Sequence, residues 1–316
     1  MTRMIADAAV LGAGTMGHAL ALVHALGGVG VRLYDTEPTA LARAPRLIDA
    51  ALATLTEGGE IDAAAAAAAR ARITTTDDLA TALAGADLVV EAVVEDVAVK
   101  RALFLEIDRL APVGALIASN TSYLDIFPFA APRRAATTLI AHWYTPPYLV
   151  DLVDLVGSDV TDPAAITTLR DLYAGWGKKP VVLRRFIPGY VANRLQAALS
   201  REVNWLLDEG YATPQDIDDA VIHGLALRMP VLGHLKKADF TGLDMTRRAL
   251  ANATVVPAPD RTRCETLERL LAAGRGGVMS GAGFFDYGGR APDTLFRARD
   301  ARLLSLKQHL RRIGDI

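Results

Sequence analysis

The chain has 316 residues, of which 51% are hydrophobic and 22% charged, so its composition supports a folded core and excludes intrinsic disorder for most of its length. At ~150 residues per domain, this length predicts about two domains. Lys and Arg total 34 against 36 Asp and Glu, and the net charge of −2 argues against nucleic acid as a partner. The single cysteine, Cys264, excludes an internal disulfide and a thiolate zinc site. We therefore expect a reducing, cytoplasmic location and no bound metal.

An uncharged apolar run covers residues 8–31 and resembles a signal peptide or a membrane span in hydropathy alone. Asp7 precedes this run where a signal peptide needs basic residues, and six glycines divide it into short pieces. We interpret the run as buried strand, turn and helix, and we expect no membrane partner.

In and around this run, a strand over 5–10 leads into a glycine turn, a helix to about residue 26 and a second strand that ends at Asp35. The turn Gly12-x-Gly14-x-x-Gly17 in this context is typical of a dinucleotide site, because its glycines permit a tight turn, close approach of a pyrophosphate and close packing of helix on strand. Asp35 lies about 18 residues after the last glycine, where a carboxylate binds ribose hydroxyls and repels a 2′-phosphate. We therefore predict NAD as cofactor, bound by Gly12, Gly14, Thr15, Met16, Gly17 and Asp35.

The following residues alternate between predicted helices and strands. Two Ala-rich helices are predicted over 38–73, separated at Gly58-Gly59. Such alternation predicts a parallel sheet with helices packed on it. The further strands are predicted over 88–94, 116–118, 138–144, 150–156 and 180–183, and the further helices over 97–110 and 163–176.

After Pro188-Gly189 the periodicity becomes mostly helical, with segments over 191–207, 214–224, 241–253 and 264–273. The predicted fold class is therefore α/β, with two domains. Residues 1–187 are expected to form a Rossmann-type doubly wound sheet that binds NAD, and residues 188–316 an all-α domain that binds substrate.

Candidate catalytic residues lie where predicted strands end. The segment Ser119-Asn120-Thr121-Ser122 follows one strand and His142 lies near the end of another, at the edge where open α/β sheets bind ligands. Histidine titrates near neutral pH, so His142 suits proton transfer to or from an alcohol. Asn193 lies one turn into the first helix of the second domain, from where it would reach the cleft as an uncharged donor.

A carboxylate that fixes the histidine tautomer would make His142 a more effective base. Asp151 and Asp154 are both close in sequence, in a predicted strand. Their spacing of three sends them to opposite faces, so at most one points at His142, and strand phase alone does not choose between them.

Several segments, in this order, resemble the L-3-hydroxyacyl-CoA dehydrogenase family, which includes relatives that act on free hydroxy acids. The resemblance covers nearly the whole chain. The matching segments are the glycine turn, Val90-Glu91-Ala92-Val93-Val94-Glu95 with Lys100, Ser119-Asn120-Thr121-Ser122, His142-Trp143-Tyr144-Thr145-Pro146, Gly189-Tyr190-Val191-Ala192-Asn193-Arg194-Leu195, Gly242-Leu243-Asp244 and Gly281-Ala282-Gly283-Phe284-Phe285.

The resemblance implies a role for each candidate residue. His142 is the implied acid/base, and Asp154 takes the position of the family's glutamate partner. Ser122 and Asn193 are implied to hold the substrate oxygen and the nearby carbonyl. The resemblance also implies a homodimer formed by the helical domain and a role in fatty acid metabolism, and it adds Glu95, Lys100 and Asn120 to the cofactor site.

Some residues depart from the family pattern. Asp154 is one methylene shorter than glutamate, and Thr145 stands where the family usually has asparagine. Residues 55–73 contain no lysine, although CoA-binding members often carry several there, whereas Lys236 and Lys237 would suit a free carboxylate.

The predicted function is NAD-dependent oxidation of a secondary 3-hydroxyl to a 3-oxo group. The leading hypothesis for the substrate is a hydroxyacyl thioester, as in the family that the chain resembles, and the alternative is a free hydroxy acid similar to L-gulonate or carnitine. A non-catalytic NAD-binding structural protein is a third hypothesis, and the intact set of Ser122, His142 and Asn193 argues against it.

Overall fold

The computed structural model describes residues 4–314, which divide into two compact units after Tyr190. The first unit alternates strands and helices and the second is helical. The strands are β1 (Asp7–Leu11), β2 (Gly30–Tyr34), β3 (Ile73–Thr76), β4 (Leu88–Glu91), β5 (Leu116–Ser119), β6 (Thr138–Trp143), β7 (Leu152–Val156) and β8 (Lys179–Leu183). The helices of the first unit are α1 (Gly17–Leu26), α2 (Pro38–Glu57), α3 (Ala63–Ala71), α4 (Leu79–Leu83), α5 (Val97–Leu110) and α6 (Pro163–Gly175), with 3₁₀ turns at Phe127–Phe129 and Pro132–Thr137.

The eight strands form one sheet in the order β3-β2-β1-β4-β5-β6-β7-β8. The first six of these are parallel, as the alternation predicts, but β7 runs antiparallel to β6, and β8 is parallel to β7. The prediction of a parallel sheet is thus wrong for the last two strands. The reason is local: residues 144–151 contain no crossover helix, and a connection this short returns the chain antiparallel.

Both faces of the sheet are covered by helices, which makes the unit a doubly wound α/β fold. Successive residues of β1 alternate between two buried clusters: Ala8 and Val10 lie in one, and Ala9 and Leu11 in the other. This alternation explains why the strand is apolar throughout, because a strand covered on both faces has no polar side. The carboxyl ends of β1, β4, β5 and β6 meet at one edge, and β7 begins at that edge.

The second unit consists of helices with irregular connections. Its first helix has 17 residues, and Asp208 at its end accepts backbone N–H groups of Glu265 and Thr266, which ties it to a later helix. The elements are α7 (Ala192–Asp208), α8 (Pro214–Asp219), a π-helix (Ala220–Ala226), α9 (Met229–Leu232), α10 (Leu235–Thr241), α11 (Leu243–Leu250), α12 (Glu265–Ala272), a 3₁₀ turn (Val278–Ser280) and α13 (Pro292–Ile313).

Five helices and strands lie where the sequence pattern predicts no element or a different one: β3, α4, α9, α10 and α13. The predicted helical range 38–73 extends too far, since α3 ends at Ala71 and the first residue of β3 is Ile73. Within residues 4–314, no helix combines the length and the apolarity that crossing a membrane requires.

Candidate active site

The glycine turn joins β1 to α1 with little room for side chains. Gly12 has a φ of +101°, which favours glycine, and a Cβ there would lie 2.6 Å from the carbonyl oxygen of Ala92. A Cβ on Gly17 would overlap the carbonyl of Gly12 at 1.6 Å. Gly14 is different, because its Cβ would meet no protein atom within 4 Å. The turn therefore needs Gly12 and Gly17 for its own packing. Gly14 instead leaves open space beside the N-terminus of α1, where a pyrophosphate fits.

Asp35 lies at the end of β2, next to this turn. Its carboxylate accepts the backbone N–H of Ala13 at 2.6 Å and that of Glu37 at 2.9 Å. The two hydrogen bonds fix both oxygens while leaving lone pairs for further donors. The residues present therefore fit an adenosine ribose beside the glycine turn, as in a dinucleotide site. Thr15 is exposed, and Met16 accepts a hydrogen bond from the hydroxyl of Thr145 at its Sδ, at 3.1 Å.

The loop after β5 is organised by one carboxylate from the loop after β4. Glu95 Oε1 accepts the hydroxyl of Thr121 at 2.7 Å and the backbone N–H groups of Ser122 and Tyr123, each at 2.9 Å. Burial opposes the charge on Glu95, but these hydrogen bonds and the nearby Lys100 ammonium hold the pKa of this carboxyl below its ordinary value. Glu95 thus acts within the protein as an anchor for the loop that carries Ser122.

A buried ion pair lies beneath this loop. The Lys100 ammonium is 2.6 Å from Glu91 Oε1 and 3.4 Å from Glu95 Oε2, and Lys100 and Glu91 are 1% and 0% exposed. Ser119 donates its hydroxyl to the second oxygen of Glu91. The three charged side chains therefore form one network that connects β4, α5 and β5 at the edge of the sheet.

His142 and Asp154 lie directly opposite each other in the antiparallel pair β6 and β7, so their side chains are on the same face. His142 Nδ1 is 3.4 Å from Asp154 Oδ2, and Nε2 is 3.1 Å from the hydroxyl oxygen of Ser122. With the proton on Nδ1 facing the carboxylate, Nε2 is left as the acceptor. Ser122, His142 and Asp154 are thus brought together in one row, as expected of a base, its partner and a substrate-binding hydroxyl.

The sequence left Asp151 and Asp154 as alternatives, and the structure distinguishes them by position. Asp151 precedes β7 and lies 3.3 Å from the buried ammonium of Lys178. Lys178 also donates to the carbonyl of Pro147 at 2.7 Å, so it holds the loop between β6 and β7.

Two tyrosines beside His142 were missed by the sequence analysis. The hydroxyl of Tyr144 donates to Asp154 Oδ2 at 2.7 Å. Tyr190 has a φ of +50° and donates its hydroxyl to the carbonyl of Thr121, while its ring lies 4.8 Å from the imidazole. Both belong to segments on which the family resemblance rests, but their contacts depend on how distant segments of the chain meet in the fold, which sequence spacing does not give.

The two remaining predicted site residues, Asn120 and Asn193, belong to different units of the chain. Asn120 accepts the backbone N–H of Trp143 at 2.8 Å with its side-chain oxygen, which joins the loop after β5 to β6. Asn193 is the second residue of α7 and belongs to the helical unit. Among residues 4–314, no group of three or more His, Cys, Asp or Glu side chains is arranged to hold a metal ion.

Comparisons with known proteins match both units to described families. Residues 7–186 match the family described as 3-hydroxyacyl-CoA dehydrogenase, NAD binding domain, and residues 189–287 match 3-hydroxyacyl-CoA dehydrogenase, C-terminal domain.

Alignments with individual relatives cover most of the chain. A 5-formyl-3-hydroxy-2-methylpyridine 4-carboxylate 5-dehydrogenase of Mesorhizobium japonicum is 32% identical over 97% of this chain and 99% of its own length. An L-carnitine dehydrogenase of Streptomyces coelicolor is 37% identical over 72% of this chain and 69% of its own length. The crystal structure of a 5-formyl-3-hydroxy-2-methylpyridine 4-carboxylic acid 5-dehydrogenase, described as an NAD+ dependent dismutase, is similar with a TM-score of 0.88 at 29% identity, covering 99% of this chain and 100% of that one.

Proposed function

Because the chain belongs to the 3-hydroxyacyl-CoA dehydrogenase family, whose members are NAD-dependent dehydrogenases acting on CH–OH groups, we propose that it oxidises a secondary 3-hydroxyl to a 3-oxo group with His142 as the base. Family membership confirms the resemblance and the NAD cofactor predicted from the sequence. The observation that carries the proposal is the row of Ser122, His142 and Asp154, joined by distances of 3.1 Å and 3.4 Å.

The roles follow from the chemistry of these side chains. When bound, NAD supplies a nicotinamide that accepts a hydride from the carbinol carbon. His142 Nε2 takes the hydroxyl proton, and the Asp154 carboxylate stabilises the imidazolium that forms. Ser122 holds the substrate oxygen beside Nε2. General-base catalysis of this kind contributes ~10²–10⁴-fold in rate.

The proposed cofactor roles rest on the glycine turn with Asp35 and on the hydrogen bonds that fix the loop after β5. Gly12, Gly14 and Gly17, with Thr15 and Met16, would hold the pyrophosphate at the N-terminus of α1, and Asp35 would hold the ribose. We assign Glu95, Lys100 and Asn120 to the nicotinamide end because their hydrogen bonds fix the loop that carries Ser122. Asn193 is proposed to bind the substrate from the helical domain, and the proposed boundary between the domains stays at residues 187 and 188.

Among substrates, we favour a free hydroxy acid over a CoA thioester. In residues 55–73 the only cations are Arg70 and Arg72, and both are engaged within the protein. Arg70 pairs with Asp49 at 2.9 Å, and Arg72 donates to the carbonyl of Ala25 at 3.3 Å. This segment therefore offers little to the phosphates of CoA. The pyridine-carboxylate and carnitine enzymes among its relatives are named for substrates without CoA, which supports the same choice.

Initial rates of NADH formation test the choice of substrate. Purified protein with NAD would be given (S)-3-hydroxybutyryl-CoA, free L-3-hydroxybutyrate, L-gulonate and L-carnitine at equal concentrations. We expect turnover of a free acid. Turnover of the thioester alone would contradict the preference for a free acid and support a role in fatty acid metabolism. NAD binding without turnover of any compound would favour the non-catalytic hypothesis.

We also propose that the helical unit forms a homodimer and that the protein works in the cytoplasm. The homodimer is supported by large apolar side chains that are exposed in this unit, and the reducing location by the single cysteine. Light scattering after size exclusion would measure the mass, and a monomer at micromolar concentration would contradict the homodimer. The exposed apolar side chains include Leu195, Leu235, Phe240, Leu243, Leu250 and Met279.

A further inference from the structure

The carboxylate of Asp154 is almost completely buried, at 1% exposed, yet it has few hydrogen-bond partners. Its Oδ2 lies 3.4 Å from His142 Nδ1, which is long for a hydrogen bond. Its Oδ1 has no hydrogen-bond partner among residues 4–314. Burying an ionised carboxylate with so few donors is costly, so the closest donor that it does have largely determines how the anion is held.

That donor is Tyr144, two residues beyond His142. Its hydroxyl donates to Asp154 Oδ2 at 2.7 Å, which is the same oxygen that faces the imidazole. The ring of Tyr144 also packs against the imidazole, with centroids 4.6 Å apart and planes at 82°. Tyr144 thus contacts both members of the pair, one through its hydroxyl and the other through its ring.

We propose that Tyr144 is a positioning residue that holds Asp154 Oδ2 toward His142 and keeps the His142 and Asp154 pair in its unprotonated, basic form. The assignment of a base role to this pair rests on the proposed function. The contacts themselves do not depend on which alcohol is oxidised.

The sign of the effect follows from what the hydroxyl stabilises. A hydrogen bond from Tyr144 favours the Asp154 anion and hence the pair that carries no extra proton. Removing the hydroxyl makes that state less stable relative to the pair with one proton, whether the proton resides on the imidazole or on the carboxyl. The pair then takes up a proton at a higher pH. Because oxidation needs the unprotonated pair, the loss of activity is larger on the acid side.

Other titratable side chains surround His142 from different elements. Tyr190 packs on the imidazole at the end of the first unit, and burial raises its pKa above the ordinary value, so it stays neutral. Glu95 anchors the loop of Ser122, and Glu91 is paired with a lysine beneath it. The Tyr144 hydroxyl has a single proton, which it donates to Asp154 Oδ2, so its removal tests the contact with Asp154.

The first experiment measures kcat/KM against pH for the full chain with saturating NAD and the alcohol that it oxidises. For Tyr144→Phe we expect the acid limb to move up by at least ~0.5 pH unit, which is about a threefold loss at acid pH. Tyr173→Phe is the control, because it removes a buried tyrosine hydroxyl that lies 3.4 Å from His24 and is not bonded to Asp154. An unmoved acid limb, or an equal loss at every pH, would overturn the proposal.

A second variant separates positioning from general damage to the fold. Asp154→Glu adds one methylene, which brings the carboxylate nearer to His142 Nδ1 without help from the tyrosine hydroxyl. In this background we expect Tyr144→Phe to move the acid limb by less than half of its effect in the wild type. The same displacement in both backgrounds would contradict a role through Asp154.

A measurement without substrate keeps this proposal distinct from the proposed function. The imidazole resonances of His142 would be followed against pH in the NAD-bound protein with labelled histidine, and assigned with His142→Gln. We expect Tyr144→Phe to move their midpoint to higher pH and Tyr173→Phe to leave it in place. If the midpoint moves but no alcohol is oxidised, the proposed function fails alone; if an alcohol is oxidised and the midpoint stays, the role of Tyr144 is refuted.

Discussion

Replacing Lys100 by methionine tests how much the N-terminal unit depends on the ion pair under the Ser122 loop. The ammonium is 1% exposed and lies 2.6 Å from Glu91, which is completely buried. Methionine keeps the length of the side chain, but among residues 4–314 it leaves the carboxylate of Glu91 with only the Ser119 hydroxyl and the Val93 backbone N–H as donors. Breaking a buried pair by removing one partner costs ~3–5 kcal/mol, because an uncompensated charge stays in the interior.

The assay is urea unfolding followed by tryptophan fluorescence in a Trp205→Phe background. Trp143 and Trp176 then report on the first unit alone. The control is Arg109→Met, which removes an exposed pair with Glu106 on α5 and is expected to lower the unfolding free energy only slightly. If Lys100→Met lowers the unfolding free energy no more than this control does, the buried pair of Lys100 and Glu91 does not stabilise the first unit as we infer.

Two other substitutions test the cofactor turn and the core. Gly14→Ala is expected to leave the free energy of unfolding almost unchanged, since its Cβ meets no atom within 4 Å, but to weaken NAD binding at least ~10-fold in calorimetry; unchanged affinity would contradict the pyrophosphate site. Burial lowers the pKa of His24 from 6.5 to about 4, so the unfolded chain binds the proton first and stability is lost as the pH falls from 6.5 toward 4, by about 2 kcal/mol at pH 5. His24→Leu should remove this slope in urea unfolding between these pH values, and an unchanged slope would show that His24 is not its source.

The arrangement of the proposed cofactor site could be predicted from sequence because its determinants are local. The strand, the glycine turn, the helix and Asp35 follow one another within β1, α1 and β2, and their spacing alone brings them together. The structure adds the hydrogen bond from Ala13 to Asp35, which links the turn to the second strand.

The row of Ser122, His142 and Asp154 was predictable only in part. His142 and Ser122 follow from their places at strand ends, but the choice between Asp151 and Asp154 depends on β7 running antiparallel, which the residues alone did not predict. The donation from Tyr144 to Asp154 depends on the same pairing. Contacts of this kind join residues through the register of two strands, so they require the fold.

Elements without a clear apolar pattern were missed. β3 is a short edge strand of one isoleucine and three threonines, with two of its four residues exposed, so it shows no hydrophobic periodicity. α13 is rich in charged residues and buries only Asp300 and Leu304, so little in its sequence distinguishes it from a polar loop.

Single-turnover formation of NADH by His142→Gln tests whether His142 moves the proton of the substrate alcohol. Glutamine keeps polar atoms at the site but does not accept a proton near neutral pH. With the alcohol and NAD saturating, we expect a rate at least ~100-fold below the wild type, with NAD affinity unchanged in calorimetry. A variant that forms NADH at the wild-type rate would show that His142 is not the base.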